Sequence, residues 1–292
     1  MDNNLIELKN DSLKLEVNPA KGGLITKFYS IKDDFDIIKE VKNDNLSGMF
    51  PLIPYSNRIR GGNFVYWGIK RNVPKNHPEL NDPIHGDAWL KEWKIEEKGE
   101  NYVIMSYEHD GKNGFPFSYS VRKKLTLKNS RLSIDISIKN TGSLPMPCGV
   151  GIHPYFKKDG KVLLKFKNKT IWADETSLNK QVPYKTDASY NFENGKELPN
   201  EDFDICFGGF DGHAEIIWLD KDFSLSIDAH EDFNHIVLFS PKDSDFFCLE
   251  PVTNATDAFN LASKGITGTG IQTIEPEEIL ESKIELRINI KK

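Results

Sequence analysis

Leu132-Ser133-Ile134-Asp135-Ile136-Ser137-Ile138 alternates apolar and polar residues without a break. Ile284-Glu285-Leu286-Arg287-Ile288-Asn289-Ile290 repeats the pattern near the far end of the chain. A period of two puts the apolar side chains on one face of an extended backbone and the polar ones on the other, as in a strand half-buried in an antiparallel sheet. Shorter runs at 102–107, 119–127, 162–166, 216–218, 225–227 and 235–239 read the same way. Turn-forming clusters separate them: Lys128-Asn129-Ser130-Arg131, Asp159-Gly160-Lys161, Glu193-Asn194-Gly195 and Asp220-Lys221-Asp222. Helical signals are confined to two short segments, 257–262 and 276–280, the second with acidic residues at its start. Strands do not alternate with long amphipathic helices, which argues against a parallel α/β sheet. The expectation is all-β: a large antiparallel β-sandwich or barrel with few short helices. No repeat, low-complexity tract or Gly/Ser linker interrupts residues 1–292, so one domain is expected.

Forty-four acidic and 38 basic side chains give a formal charge of −6, without long blocks of one sign. That balance points away from nucleic acid and anionic membrane as partners, because both call for a basic surface. The N-terminal residues lack a basic stretch followed by an apolar one, and no window approaches the roughly 18 apolar residues of a membrane span. Cys148, Cys206 and Cys248 are far apart, odd in number and without CxxC spacing. They read as reduced, buried thiols in a cytoplasmic protein rather than as a structural zinc site.

Four separated motifs carry chemistry. Phe50-Pro51-Leu52-Ile53-Pro54-Tyr55-Ser56-Asn57-Arg58 runs an apolar segment into an Asn-Arg pair. Ile84-His85-Gly86 follows a proline-rich loop, and Gly151-Ile152-His153-Pro154-Tyr155-Phe156 places an imidazole among aromatic rings at a strand end. Phe247-Cys248-Leu249-Glu250-Pro251-Val252-Thr253 puts a carboxylate behind an apolar run, where a charge needs a reason. In that order the motifs closely resemble the aldose 1-epimerase (galactose mutarotase-like) family. The similarity runs over nearly the whole chain, including Asp174-Glu175-Thr176-Ser177-Leu178 and Asp204-Ile205-Cys206-Phe207.

The resemblance implies a single β-sandwich of the galactose mutarotase-like kind with a sugar cleft on its concave face. It also implies interconversion of the α and β anomers of an aldose, without a cofactor or metal. Position by position, Glu250 matches the family's general base and His153 its general acid. Arg58, His85 and Asp204 match the residues that hold sugar hydroxyls. Asn57 is read as positioning Arg58, while Trp89 and Tyr155 are candidates to line the cleft. Thr253 and Asn254 are read as orienting Glu250.

The reaction explains these residue types. One group takes the proton of the anomeric hydroxyl while another protonates the ring oxygen; the ring opens, C1–C2 rotates, and closure reverses the roles. A carboxylate and an imidazole on opposite sides of the hemiacetal would serve, each contributing on the order of 10²–10⁴-fold.

His235 reads as a satisfied strand residue, and His77, His109, His213 and His230 belong to no motif. Asp87-Ala88-Trp89 follows His85-Gly86 where galactose mutarotases often continue with glycines, so galactose specificity is not implied. A hexose-6-phosphate 1-epimerase would need further cations in the cleft, for which Arg60 and Arg71 are the candidates. A non-catalytic sugar-binding or sensor protein would need neither Glu250 nor His153 at the hemiacetal.

Overall fold

The computed structural model describes residues 5–39, 47–173 and 182–289. The alternating segments form a nine-stranded sheet in the order Lys196–Glu197, Val162–Phe166, His213–Trp218, Phe223–Ala229, Ile279–Asn289, Arg131–Asn140, Ser118–Lys128, Tyr102–Asp110, Lys94–Lys98. Leu132, Ile134, Ile136 and Ile138 are buried, whereas Ser133, Asp135 and Ser137 are only partly covered, so the period of two becomes an inner and an outer face. The turn at Asn129-Ser130 sets the register of the central hairpin, pairing Lys128 with Arg131 and Leu125 with Ile134. A slip of one residue would turn all of its apolar side chains outward.

The second sheet has eleven strands. Its path is Ile6–Lys9, Leu13–Asn18, Leu24–Ser30, Met49–Leu52, Gly151–Lys157, Phe246–Val252, His235–Ser240, Phe203–Gly208, Thr170–Ala173, Tyr184–Lys185, with Phe35–Asp36 added beside Leu24–Ser30. Every pairing between named strands is antiparallel in both sheets. One buried cluster joins their facing sides, with Leu125, Ile134 and Leu286 from the first and Phe156, Phe207 and Leu249 from the second. Truncating such a residue to alanine costs about 2–5 kcal/mol.

The central strands of the second sheet are covered on both faces, which removes the alternation from their sequences. Phe247 and Leu249 enter the sandwich core, while Phe246, Cys248 and Val252 join a separate cluster on the other side. Phe50, Leu52, Tyr155, Trp172 and Cys206 belong to that outer cluster too. It forms the platform on which the candidate site is built.

The helix expected at 257–262 is present as Ala258–Ser263. The one expected at 276–280 is not. Glu277 takes a left-handed backbone angle of φ 67°, and Ile279 already begins the strand Ile279–Asn289. A tight turn closed by the Glu278 N–H donating to the Glu275 carbonyl feeds that strand. Pairing of Ile279 and Leu280 with Lys139 and Ile138 outweighs a helix signal of a few acidic residues. The remaining helical elements among the described residues are three-residue 3₁₀ turns.

Candidate active site

Residues 50, 153, 250, 237 and 206 share one face of five neighbouring strands because strand side chains alternate. Phe50 pairs with His153, Glu250 with Val237, and Val237 with Cys206. The pairs Gly151–Val252 and Tyr155–Cys248 bracket His153 and Glu250, setting them side by side across the two central strands. His153 Nε2 lies 3.2 Å from Glu250 Oε1, with both side chains buried. The expected placement on opposite sides of a hemiacetal is therefore replaced by direct contact. This arrangement suits the chemistry, since the anomeric hydroxyl and the ring oxygen are both carried by C1.

Burial pushes the Glu250 carboxyl well above the usual carboxylate range, and the nearby Asp204 charge pushes the same way. Burial pushes the His153 imidazole down to about 3. Each group is driven toward its uncharged form, so the pair holds one proton between an acid oxygen and an imidazole nitrogen. Glu250 Oε2 and His153 Nδ1 are buried without a hydrogen-bond partner among the described residues. Leaving a buried acceptor unsatisfied costs about 1–3 kcal/mol, a cost more often met at functional sites than in plain structure.

The rim is wetter. Arg58 Nη2 stands 4.0 Å from Asp204 Oδ2, with the side chains 37% and 34% exposed, enough for either to meet a ligand. Asn57 holds the arginine: its Oδ1 accepts from the Arg58 backbone N–H at 2.9 Å and from Nε at 3.3 Å. The Asn57 N–H also donates to His85 Nδ1 at 3.1 Å. His85 Nε2 is then the protonated nitrogen, a donor. Burial first, and then His153 and Arg58, push its pKa well below the ordinary value, keeping the ring neutral. Arg58 and His85 thus supply donors and Asp204 acceptors, the mixture that hydroxyl groups require.

Aromatic rings frame the pair. Phe50 stacks on His153 at 4.8 Å and on Trp89 at 5.0 Å between ring centroids. Trp89 is partly exposed beside His85. Tyr155 is buried and stacks on His153 at 4.8 Å, so it backs the imidazole. Thr253 and Asn254 do not bond Glu250. Thr253 Oγ1 accepts from the Val150 N–H at 2.9 Å, and Asn254 Oδ1 accepts from the Ser56 N–H at 2.9 Å. They tie the end of the Glu250 strand to the segments leading into His153 and Asn57.

The loop carrying His85 is pinned from behind, by groups that no motif marked. His85 and Gly86 are both left-handed, with φ 61° and 69°, and a Cβ on Gly86 would fall 1.9 Å from the Ile53 carbonyl oxygen. Only glycine fits that approach. Asp87, the next residue, is buried and pairs with His109 Nδ1 at 2.8 Å. His109 Nε2 meets the Phe115 carbonyl oxygen at 2.7 Å. The Tyr107 hydroxyl also lies 3.4 Å from His109 Nδ1, and the carboxylate and carbonyl around the ring favour its charged form. Burial opposes that charge, but the Asp87 carboxylate and the Phe115 carbonyl outweigh it and raise the pKa. The Tyr119 hydroxyl donates to the other Asp87 oxygen. Phe50, quoted in a motif but given no role, and Trp172, in no motif, also belong to the platform; the signal of each is an apolar strand. His235 is buried on the site face, with Nδ1 3.0 Å from the Thr253 carbonyl oxygen and its ring edge-on to Trp172. The motif at 174–178 lies outside the described residues.

Comparison with known proteins agrees with this architecture. The uncharacterized protein YphB of Escherichia coli K12 is 26% identical over 96% of this chain and 97% of its own. A solved structure of an Escherichia coli K12 homologue superposes with a TM-score of 0.89 at 24% identity, covering 98% of this chain and 99% of that one. A galactose mutarotase-like protein from Clostridium acetobutylicum superposes with a TM-score of 0.86 at 18% identity, covering 98% and 95%. The two structures establish the shared fold. The family model for aldose 1-epimerase matches residues 4–287 and spans every strand that contributes to the Glu250–His153 platform, so the chain belongs to the aldose 1-epimerase family.

Proposed function

We propose that the protein is a cofactor-independent aldose 1-epimerase acting on a free aldose such as glucose or galactose in the cytoplasm, with Glu250 and His153 as its proton-transfer pair. The observation that carries this reading is the 3.2 Å contact between two buried titratable groups, each driven toward neutrality. Mutarotation consumes no net proton, and a pair holding a single proton matches that stoichiometry. With the proton on His153, the carboxylate takes hydrogen from the anomeric hydroxyl as the imidazolium protonates the ring oxygen. The C1–O5 bond breaks, the aldehyde forms, and rotation about C1–C2 exposes its other face. The protonated Glu250 and neutral His153 then return their charges as the ring closes. Burial strengthens both interactions by excluding water.

Arg58, Asp204 and the His85 N–H are the hydroxyl-binding groups, and Trp89 offers an apolar ring face. Asn57 and Tyr155 act by positioning Arg58, His85 and His153. A free sugar fits better than a hexose 6-phosphate. Arg71 is spent over the Phe117 ring at 5.1 Å, and the Arg60 backbone N–H donates to Asp257 Oδ1 at 3.0 Å, which ties Arg60 to that carboxyl group. Arg58 already faces Asp204, whose negative charge opposes a phosphate dianion. Anomer exchange followed by NMR on glucose, galactose and glucose 6-phosphate tests the assignment. Catalysis of a free aldose is expected, with glucose 6-phosphate at least about tenfold poorer in kcat/KM; preference for the phosphate would overturn the substrate class.

A further inference from the structure

Cys248 precedes Glu250 by two residues on the strand Phe246–Val252, so its side chain leaves the same face of the sheet. His153 stands beside them on the neighbouring strand. One donor atom from each of His153, Cys248 and Glu250 lies within 4.8 Å of the others, and all three residues are buried. We propose that this trio is an inhibitory site for a thiophilic divalent cation, zinc in particular, whose binding ties up the catalytic pair. The inhibitory sense rests on the function assigned above, whereas the binding does not.

Alternate residues of one strand plus one from its neighbour supply three corners of a tetrahedron, leaving the fourth toward the cleft for water or a sugar oxygen. Metal–ligand bonds near 2.0–2.3 Å place tetrahedral donors about 3.5 Å apart. His153 and Glu250 already meet that spacing at 3.2 Å, and with all three donor atoms within 4.8 Å of one another a bound cation has only to draw the thiol inward. Glu250 Oε2 is buried without a hydrogen-bond partner among the described residues, a lone pair a cation would satisfy. Charge also balances: one thiolate and one carboxylate neutralise a dication, so no net charge is left in the interior. Imidazole with thiolate selects zinc over magnesium and calcium, which prefer all-oxygen shells. His85 is not a fourth ligand, because its Nδ1 accepts from the Asn57 N–H and its Nε2 carries hydrogen.

The test uses the full chain freed of metal by dialysis against a chelator and titrated with Co²⁺. The expected result is one equivalent bound with a thiolate-to-cobalt charge-transfer band, displaced by Zn²⁺. Cys248→Ser and Cys248→Ala should both lose the band and bind zinc at least about 10²-fold more weakly, since losing even an outer-shell partner costs 10–100-fold. Zinc should stop anomer exchange in the wild type, chelator should restore it, and exchange by the two Cys248 variants should withstand the same zinc concentration. Absence of the band, or equal zinc affinity in wild type and variants, overturns the site and moves the metal elsewhere, for example to exposed His213 beside Asp228. A band without loss of exchange overturns the inhibitory role. A band in a protein that exchanges no aldose in chelator upholds the metal site and overturns the epimerase reading.

Discussion

Glu250→Gln should separate catalysis from stability, making the protein far less active and, as pH rises, relatively more stable. Glutamine keeps the shape and the contact with His153 but cannot take a proton, so kcat should fall by about 10²–10⁴-fold with little change in KM. The stability effect follows from the raised Glu250 pKa. Between the usual carboxylate value of 4.5 and its higher folded value, the native state holds a proton that the unfolded chain has released. Wild-type stability therefore declines with pH across that window, by about 1.4 kcal/mol per unit. Glutamine contributes no such slope. The imidazole works in the opposite direction: with His153 depressed to about 3, folding gains stability as pH rises from there to the ordinary 6.5. That gain is common to both proteins, so the difference between them isolates the carboxyl. Urea denaturation at half-unit intervals from pH 4.5 upward, with exchange rates measured on the same preparations, gives both quantities. A stability difference flat in pH would refute the raised Glu250 pKa, and exchange within about threefold of wild type would refute Glu250 as the group that takes the anomeric proton.

The pH profile of kcat should be a broad plateau, because the pair keeps its single proton until His153 gains a second at low pH or Glu250 loses the last at high pH; stopped-flow polarimetry would show it, and a narrow bell would count against it. Asp204→Asn should raise KM by about tenfold through a lost hydroxyl contact, and by removing a negative charge it should move the alkaline limb to lower pH. His109→Asn should destabilise the fold by about 3–5 kcal/mol at pH 6 by stranding the buried Asp87 carboxylate. Since the His109 pKa is raised, its contribution is full below the ordinary 6.5 and fades as pH passes the folded value, so thermal melts of wild type and variant should converge in alkaline buffer.

What the sequence revealed depended on which faces of each strand meet water. The segment 132–138 alternates because the nine-stranded sheet is buried on one side only, and its fold class followed directly. Phe246-Phe247-Cys248-Leu249-Glu250 does not alternate, since the platform strands are covered on both sides. There the informative signal was the charge among apolar residues. The motifs located His153, Glu250, Arg58, His85 and Asp204 individually, but their contact across strands is a matter of register that no local spacing encodes. For that reason the pair was expected on opposite sides of the sugar. The Asp87–His109–Tyr119 anchor was missed on the same ground: its members sit on separate segments and meet only after folding. At 276–280 local composition misled, because pairing with the strand Arg131–Asn140 already takes in Ile279 and Leu280.

Saturation-transfer NMR on α- and β-glucose, comparing wild type and Glu250→Gln in one buffer, tests the central claim most directly. The account predicts magnetisation passing between the anomeric protons well above the uncatalysed rate with wild type, and a transfer near the blank with the variant. Equal transfer by both proteins, or by wild type and buffer alone across glucose and galactose, would contradict it.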